Sequence, residues 1–235
     1  MKIRVNKSSN FSKKSRRLRD IRYLIIHYTG MQSTRVSMKR LKNPKSKVSC
    51  HYFIDRNGDI YKMIDDNKIA WHAGKSQWKN MKNLNKFSLG IEIQNKGHFI
   101  NYQNFPKKQI SSLIVLIKSL LKKYKIKKSN VLGHSDIAPL RKKDPGEKFP
   151  WNFLSSKGVS IWYPKFKLKK KEIKAKAKRR IFFKNVHKIG YRFFNLSQKS
   201  KRDRKIIMAF QRRFLPNEVT GKITDKTLKI SQLLA

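Results

Sequence analysis

His134, Asp136, Lys142 and Asp144 crowd into one stretch of the chain, Val131 to Gly146. The stretch opens as a short apolar run of strand type. It breaks at Gly133 and ends in a Pro-Gly turn, so its polar residues lie on a loop at a strand end. Loops on rigid scaffolds are where catalytic groups usually sit. An imidazole and a carboxylate are both ligands for a divalent metal of the zinc type, and a third ligand has to come from elsewhere in the chain.

Two other strand-like runs end in candidate groups. Arg22 to Tyr28 is apolar, β-branched and aromatic, as suits a strand buried on both faces, and His27 stands at its carboxyl end. Alone, His27 would read as a packed core histidine; the 134–144 loop changes that, because open α/β sheets build their sites at the carboxyl ends of strands. Glu92 lies between Ile91 and Ile93 in a run that should be central. It either faces solvent on a one-sided sheet or is a buried functional carboxylate; burial is costly without a partner or a metal nearby, and the flanking residues favour burial. Two histidines and an aspartate make a three-ligand zinc site with a fourth place open for water, whose pKa then falls to about 7. A carboxylate that is not a ligand can move the proton, and a lysine can hold the charge developing on a carbonyl oxygen.

Further candidates are weaker. Cys50 and His51 are adjacent, as a ligand pair or a nucleophile and base would be, yet neighbouring strand residues face opposite sides and Cys50 reads better as packed core. In Ala70-Trp71-His72-Ala73-Gly74, Trp71 and His72 suit a pocket wall, and Trp71 equally suits a core anchor. His51, Trp71 and His72 are the expected substrate-binding residues.

The elements that must position these groups are legible in outline. His51 to Ile64 reads as a hairpin turning at Arg56-Asn57-Gly58. Residues 31–48 hold one short helix ended by Pro44. From Pro106 to Tyr124 apolar residues recur at three and four spacing, predicting a core helix over the sheet. Residues 1–20 are basic and expected to be flexible; 21–164 form the main domain; 165–180 is a basic linker. Residues 181–235 show two helices, the second capped by Thr224, as a small module. The expected architecture is α/β, with a mixed central sheet flanked by helices, plus that helical module.

Net charge is +46, from 59 Lys and Arg against 13 Asp and Glu. Such charge attracts polyanions. The basic residues are spread along the whole chain, however, and the abundance of Lys, Ile and Asn matches an AT-rich genome, so no specific nucleic-acid partner is expected. No apolar run approaches the roughly 18 residues of a membrane span. The basic N-terminus lacks a signal peptide's apolar core, which reads as cytoplasmic. A single cysteine excludes an internal disulfide.

Several motifs in order carry a resemblance: Ile-Ile-His-Tyr, Ser-Cys-His-Tyr-Phe-Ile-Asp-Arg-Asn-Gly, Trp-His-Ala-Gly, Leu-Gly-Ile-Glu-Ile, Gly-His-Ser-Asp-Ile-Ala-Pro and Lys-Lys-Asp-Pro-Gly. Over about residues 21–162 the chain resembles the zinc-dependent N-acetylmuramoyl-L-alanine amidases of AmiD and AmpD type, related to phage lysozyme-like amidases and peptidoglycan recognition proteins. The resemblance implies one zinc per chain held by His27, His134 and Asp144, with Glu92 as general acid/base and Lys142 as oxyanion stabiliser. Leu140 departs from the glycine frequent in relatives. The implied reaction is hydrolysis of the amide between N-acetylmuramic acid and L-alanine in peptidoglycan or muropeptides; the chain is expected to be a monomer. Residues 181–235 are similar to the peptidoglycan-binding module of the AmiD type. That type is exported, which would place the chain in the envelope or periplasm. The rivals are a non-catalytic peptidoglycan recognition module, which would lack a ligand, and a basic nucleic-acid-binding protein, which would bind with strong salt dependence.

Overall fold

The computed structural model of the protein describes residues 2–168 and 174–235. Its main sheet has six strands in the order β1 (Ile3–Val5), β5 (Ile60–Lys62), β4 (Tyr52–Ile54), β9 (Ser88–Ile93), β3 (Tyr23–Tyr28) and β10 (Val131–Gly133). The last four run parallel; β4 and β5 are the antiparallel hairpin, and β1 joins β5 in parallel. Beside the sheet, β2 (Phe11–Ser15) pairs with β6 (Lys68–Ala70), and β7 (Gln77–Trp78) with β8 (Met81–Lys82).

β3 and β9 are central because they offer apolar side chains to both faces. On one face Leu24, Ile26, Leu89, Ile91 and Val131 pack against α2 (Lys107–Tyr124), which presents Ile110, Leu113, Ile114, Ile117 and Leu120. Tyr23, Ile25 and Leu132, the alternate residues, face the other way. They share a core with Phe182, Phe183, Val186, Ile206, Phe210 and Leu228 from α5 (Ala175–Ile189), α6 (Asp203–Phe214) and α7 (Asp225–Leu234). Fully burying one such aromatic is worth about 1.5–3 kcal/mol. Short helices complete the chain. α1 (Thr34–Lys42) is capped by the Ser33 side chain, α3 (His134–Ile137) follows β10 directly, and α4 (Trp151–Ser156) buries Trp151 and Leu154.

The structure differs from the sequence expectation in three places. Residues 2–20 are not a flexible tail: they supply β1 and β2, and the buried Asn10 amide donates to the carbonyls of Leu41, Asn43 and Val48. Backbone pairing holds this segment, and a charged composition gives no sign of it. The segment 181–235 is not a separate module, since its helices form the second cover of the sheet. Its first helix starts at Ala175, inside the expected linker 165–180, of which 169–173 lie outside the described residues. Three helices stand where two were expected, α5 being the addition; the hairpin, the helix ending at Tyr124 and Thr224, whose side chain accepts from the Thr227 N–H, match closely.

Candidate active site

His27 ends β3, Glu92 pairs with it in register on β9, and His134 follows β10 immediately. Parallel neighbours in register point to the same face. Three adjacent strands therefore deliver three polar groups to one edge of the sheet. Asp144 completes the set from the loop after α3, held there by the Ser135 N–H donating to its carbonyl at 2.8 Å.

The donor atoms converge. His27 Nδ1 lies 2.9 Å from His134 Nδ1 and 3.1 Å from Asp144 Oδ2, and His134 Nδ1 is 3.0 Å from that same oxygen. All three residues are buried and could hold one metal ion. Both histidines turn their other nitrogen to a fixed partner, His27 Nε2 to His72 Nδ1 and His134 Nε2 to the Ala73 carbonyl, each at 3.1 Å.

Burial, and then the neighbouring His134, push the His27 pKa down to about 4, so its lone pair is free at neutral pH. Burial alone would raise the Asp144 carboxyl, but His134 and His27 outweigh it and hold the group well below the carboxylate range. Glu92 responds oppositely: burial first, then the Asp144 charge, raise it to about 8 against the pull of Lys142. Its Oε2 is buried with no hydrogen-bond partner among the described residues. A carboxyl in that state can keep a proton near neutrality, and a cation in the triad would draw its pKa back down.

These groups open into a cleft of about 840 Å³, whose walls include Trp71, His72, Arg141, Lys142 and Lys143. His51 is not in that wall. It is fully buried, with Nδ1 accepting from the Gly90 N–H and Nε2 beside the Lys68 carbonyl and Arg16. It ties β4 to β9 instead of meeting a ligand. Cys50 packs with Leu41, Phe53 and Met63, and burial pushes its thiol up, away from nucleophile or ligand chemistry.

A second buried cluster stands behind the His134 loop. Asp136 accepts from Arg213, from the Tyr191 hydroxyl at 2.6 Å and from the Gly133 N–H at 2.7 Å, while Arg213 also donates to the Val131 carbonyl at 3.0 Å. Sequence reasoning missed it because its members lie on separate elements. Gly90 was more legible: a glycine inside a buried strand signals a close approach, and here the approaching group is the His72 ring.

Comparison with known proteins gives three kinds of likeness. The profile of the N-acetylmuramoyl-L-alanine amidase family matches residues 17–147. N-acetylmuramoyl-L-alanine amidase AmiD of Escherichia coli is 32% identical over 230 residues, covering 91% of this chain and 82% of that one. The 1,6-anhydro-N-acetylmuramyl-L-alanine amidase AmpD of Haemophilus influenzae is 42% identical over 112 residues, 47% of this chain and 59% of that one. The solved AmiD from E. coli, in complex with the substrate anhydro-N-acetylmuramic acid-L-Ala-D-gamma-Glu-L-Lys, superposes with a TM-score of 0.80 at 30% identity, covering 95% of this chain and 91% of that one.

Proposed function

The chain belongs to the N-acetylmuramoyl-L-alanine amidase family, and from that premise we propose that it is a zinc enzyme that hydrolyses the amide joining the lactyl group of N-acetylmuramic acid to L-alanine in muropeptides. The observation that carries this reading is the His27–His134–Asp144 triangle beside the unpartnered Glu92 Oε2. Tetrahedral zinc with bonds of about 2.0–2.1 Å sets its ligand atoms about 3.3 Å apart, close to the 2.9–3.1 Å edges of the triangle.

His27 Nδ1, His134 Nδ1 and Asp144 Oδ2 would hold the ion. When bound, zinc supplies the Lewis acidity that polarises the scissile carbonyl and activates water at neutral pH. Glu92 takes the proton from the attacking water on Oε2 and returns it to the alanine nitrogen as the C–N bond breaks. The Lys142 ammonium, on the cleft wall, holds the negative charge that gathers on the carbonyl oxygen. Trp71 gives the sugar or peptide an apolar wall. The anhydromuramyl peptide bound to the E. coli relative sets the substrate class to try first.

Zinc-loaded protein incubated with anhydromuropeptides should release the intact stem peptide with a free L-alanine amine, together with the unsubstituted sugar, both read by mass. Absence of the free peptide, with zinc content near one per chain, would overturn the assignment.

A further inference from the structure

The Trp71–Gly74 loop supports both histidines of the triad from behind. On the His134 side the partner is the Ala73 carbonyl, which can only accept; Arg141 Nη2, 3.4 Å from the same nitrogen, spends its two hydrogens on the Ala73 and Lys75 carbonyls. His134 Nε2 therefore carries the proton, and Nδ1 keeps its lone pair for the ion.

On the His27 side the direction follows from counting protons. The Ser88 hydroxyl donates its one hydrogen to the Leu84 carbonyl at 2.6 Å. Its oxygen is left to accept from His72 Nε2, 3.4 Å away. A neutral His72 with its proton on Nε2 has only a lone pair at Nδ1. His27 Nε2 must then be the donor across their 3.1 Å contact, which leaves His27 Nδ1 unprotonated and aimed at His134 and Asp144.

The His72 ring is held for this task. It lies flat on Gly90, where an added Cβ would come within 2.4 Å of its Cγ. The Asn85 side-chain oxygen accepts from the backbone N–H groups of both His72 and Ala73, at 3.1 and 2.7 Å. Glycine in the middle of a buried strand costs stability, and the space it leaves is filled by this imidazole.

We propose that His72 is a positioning residue for the metal: it locks His27 in the tautomer whose Nδ1 can ligate, as the adjacent Ala73 carbonyl does for His134. The inference rests on the reading of His27, His134 and Asp144 as the zinc ligands. It moves His72 from substrate contact, the role its sequence context suggests, to ligand orientation. Partners of this kind are worth about 10–100-fold in metal affinity.

The test is a set of variants of the full chain, with zinc affinity measured by competition with a chromophoric chelator. The His27 tautomer is read from long-range proton–nitrogen spectra of the zinc-free protein. His72→Leu, which keeps volume but removes the acceptor, should weaken zinc binding about 10–100-fold and leave His27 as a tautomer mixture. His72→Asn, which restores an acceptor where Nδ1 stood, should recover most of the affinity. Wild-type affinity in His72→Leu, or no recovery in His72→Asn, would overturn the proposal. Should His72→Leu fail to fold, Ser88→Ala acts on the same relay from one step away. It should shift affinity in the same direction by a smaller factor, and an unchanged affinity and tautomer would overturn it equally. The failures are separable. Zinc held tightly without muropeptide cleavage would sink the proposed reaction alone. Undiminished zinc binding in His27→Ala would sink the ligand set and this inference with it.

Discussion

Glu92 carries a heavy chemical demand, because burial and the Asp144 charge lift it to about 8 while its Oε2 has no partner among the described residues. Glu92→Gln removes the proton carrier and keeps the shape. Turnover should fall about 10²–10⁴-fold with zinc content unchanged, and a variant retaining more than a tenth of wild-type turnover would contradict the role. At the residue scale the structure brings the three expected ligands together. His27, Glu92 and the 134–144 loop are far apart in the chain, yet each gave a sign: His27 at the end of an apolar run, Glu92 as a charge inside one, and His134 and Asp144 in one turn-bounded loop. His51 did not fit that logic. Its neighbours mark a strand, but only the structure shows that its ring is spent on Gly90 and Lys68.

At the scale of elements, the link that matters is α6 against β10 and α3. Arg213 is buried, ion-paired to Asp136 and stacked 4.3 Å over the Trp151 ring. Breaking such a pair leaves an uncompensated buried charge, at about 3–5 kcal/mol. Arg213→Met should cost about 3 kcal/mol, near the lower end, since Tyr191 and Gly133 still serve the Asp136 carboxylate. Urea unfolding would measure it, and a loss below about 1 kcal/mol would mean the pair is not the strut its burial suggests. The α2 helix was legible because its period is internal to one segment. The strands β1 and β2 were not, because short charged strands are defined by the partners they pair with.

For the molecule as a whole, acid is the sharpest probe. Burial, followed by a positive or imidazole neighbour, holds His27 at about 4 and His51 at about 3, against about 6.5 in an unfolded chain. Below pH 6.5 the unfolded state takes up protons that the folded state refuses. Each histidine's contribution is thus complete above that value and declines as the pH falls toward 4, by about 1.4 kcal/mol per pH unit, while Glu92, raised to about 8, takes its proton first in the folded state and offsets one histidine's share down to its ordinary 4.5. Urea midpoints of chelator-treated protein between pH 6.5 and 5 should show the net decline, two histidines against one carboxyl, and a flat profile over that range would refute it. Adding zinc protects His27 only, so a remnant slope from His51 should survive in the loaded protein. That the helices after residue 174 belong to the same core was beyond sequence reading, because Phe182 and Phe210 fit a free-standing bundle as well as a sheet face.

Since the sheet's second face is completed by α5, α6 and α7, the polypeptide can be treated as two halves of one body. Genes for 1–168 and 169–235 expressed separately should each give insoluble product, whereas co-expression should yield a soluble noncovalent pair that co-purifies and binds zinc. Such reconstitution would turn the missing backbone link into a reporter, with metal uptake signalling that the halves have met.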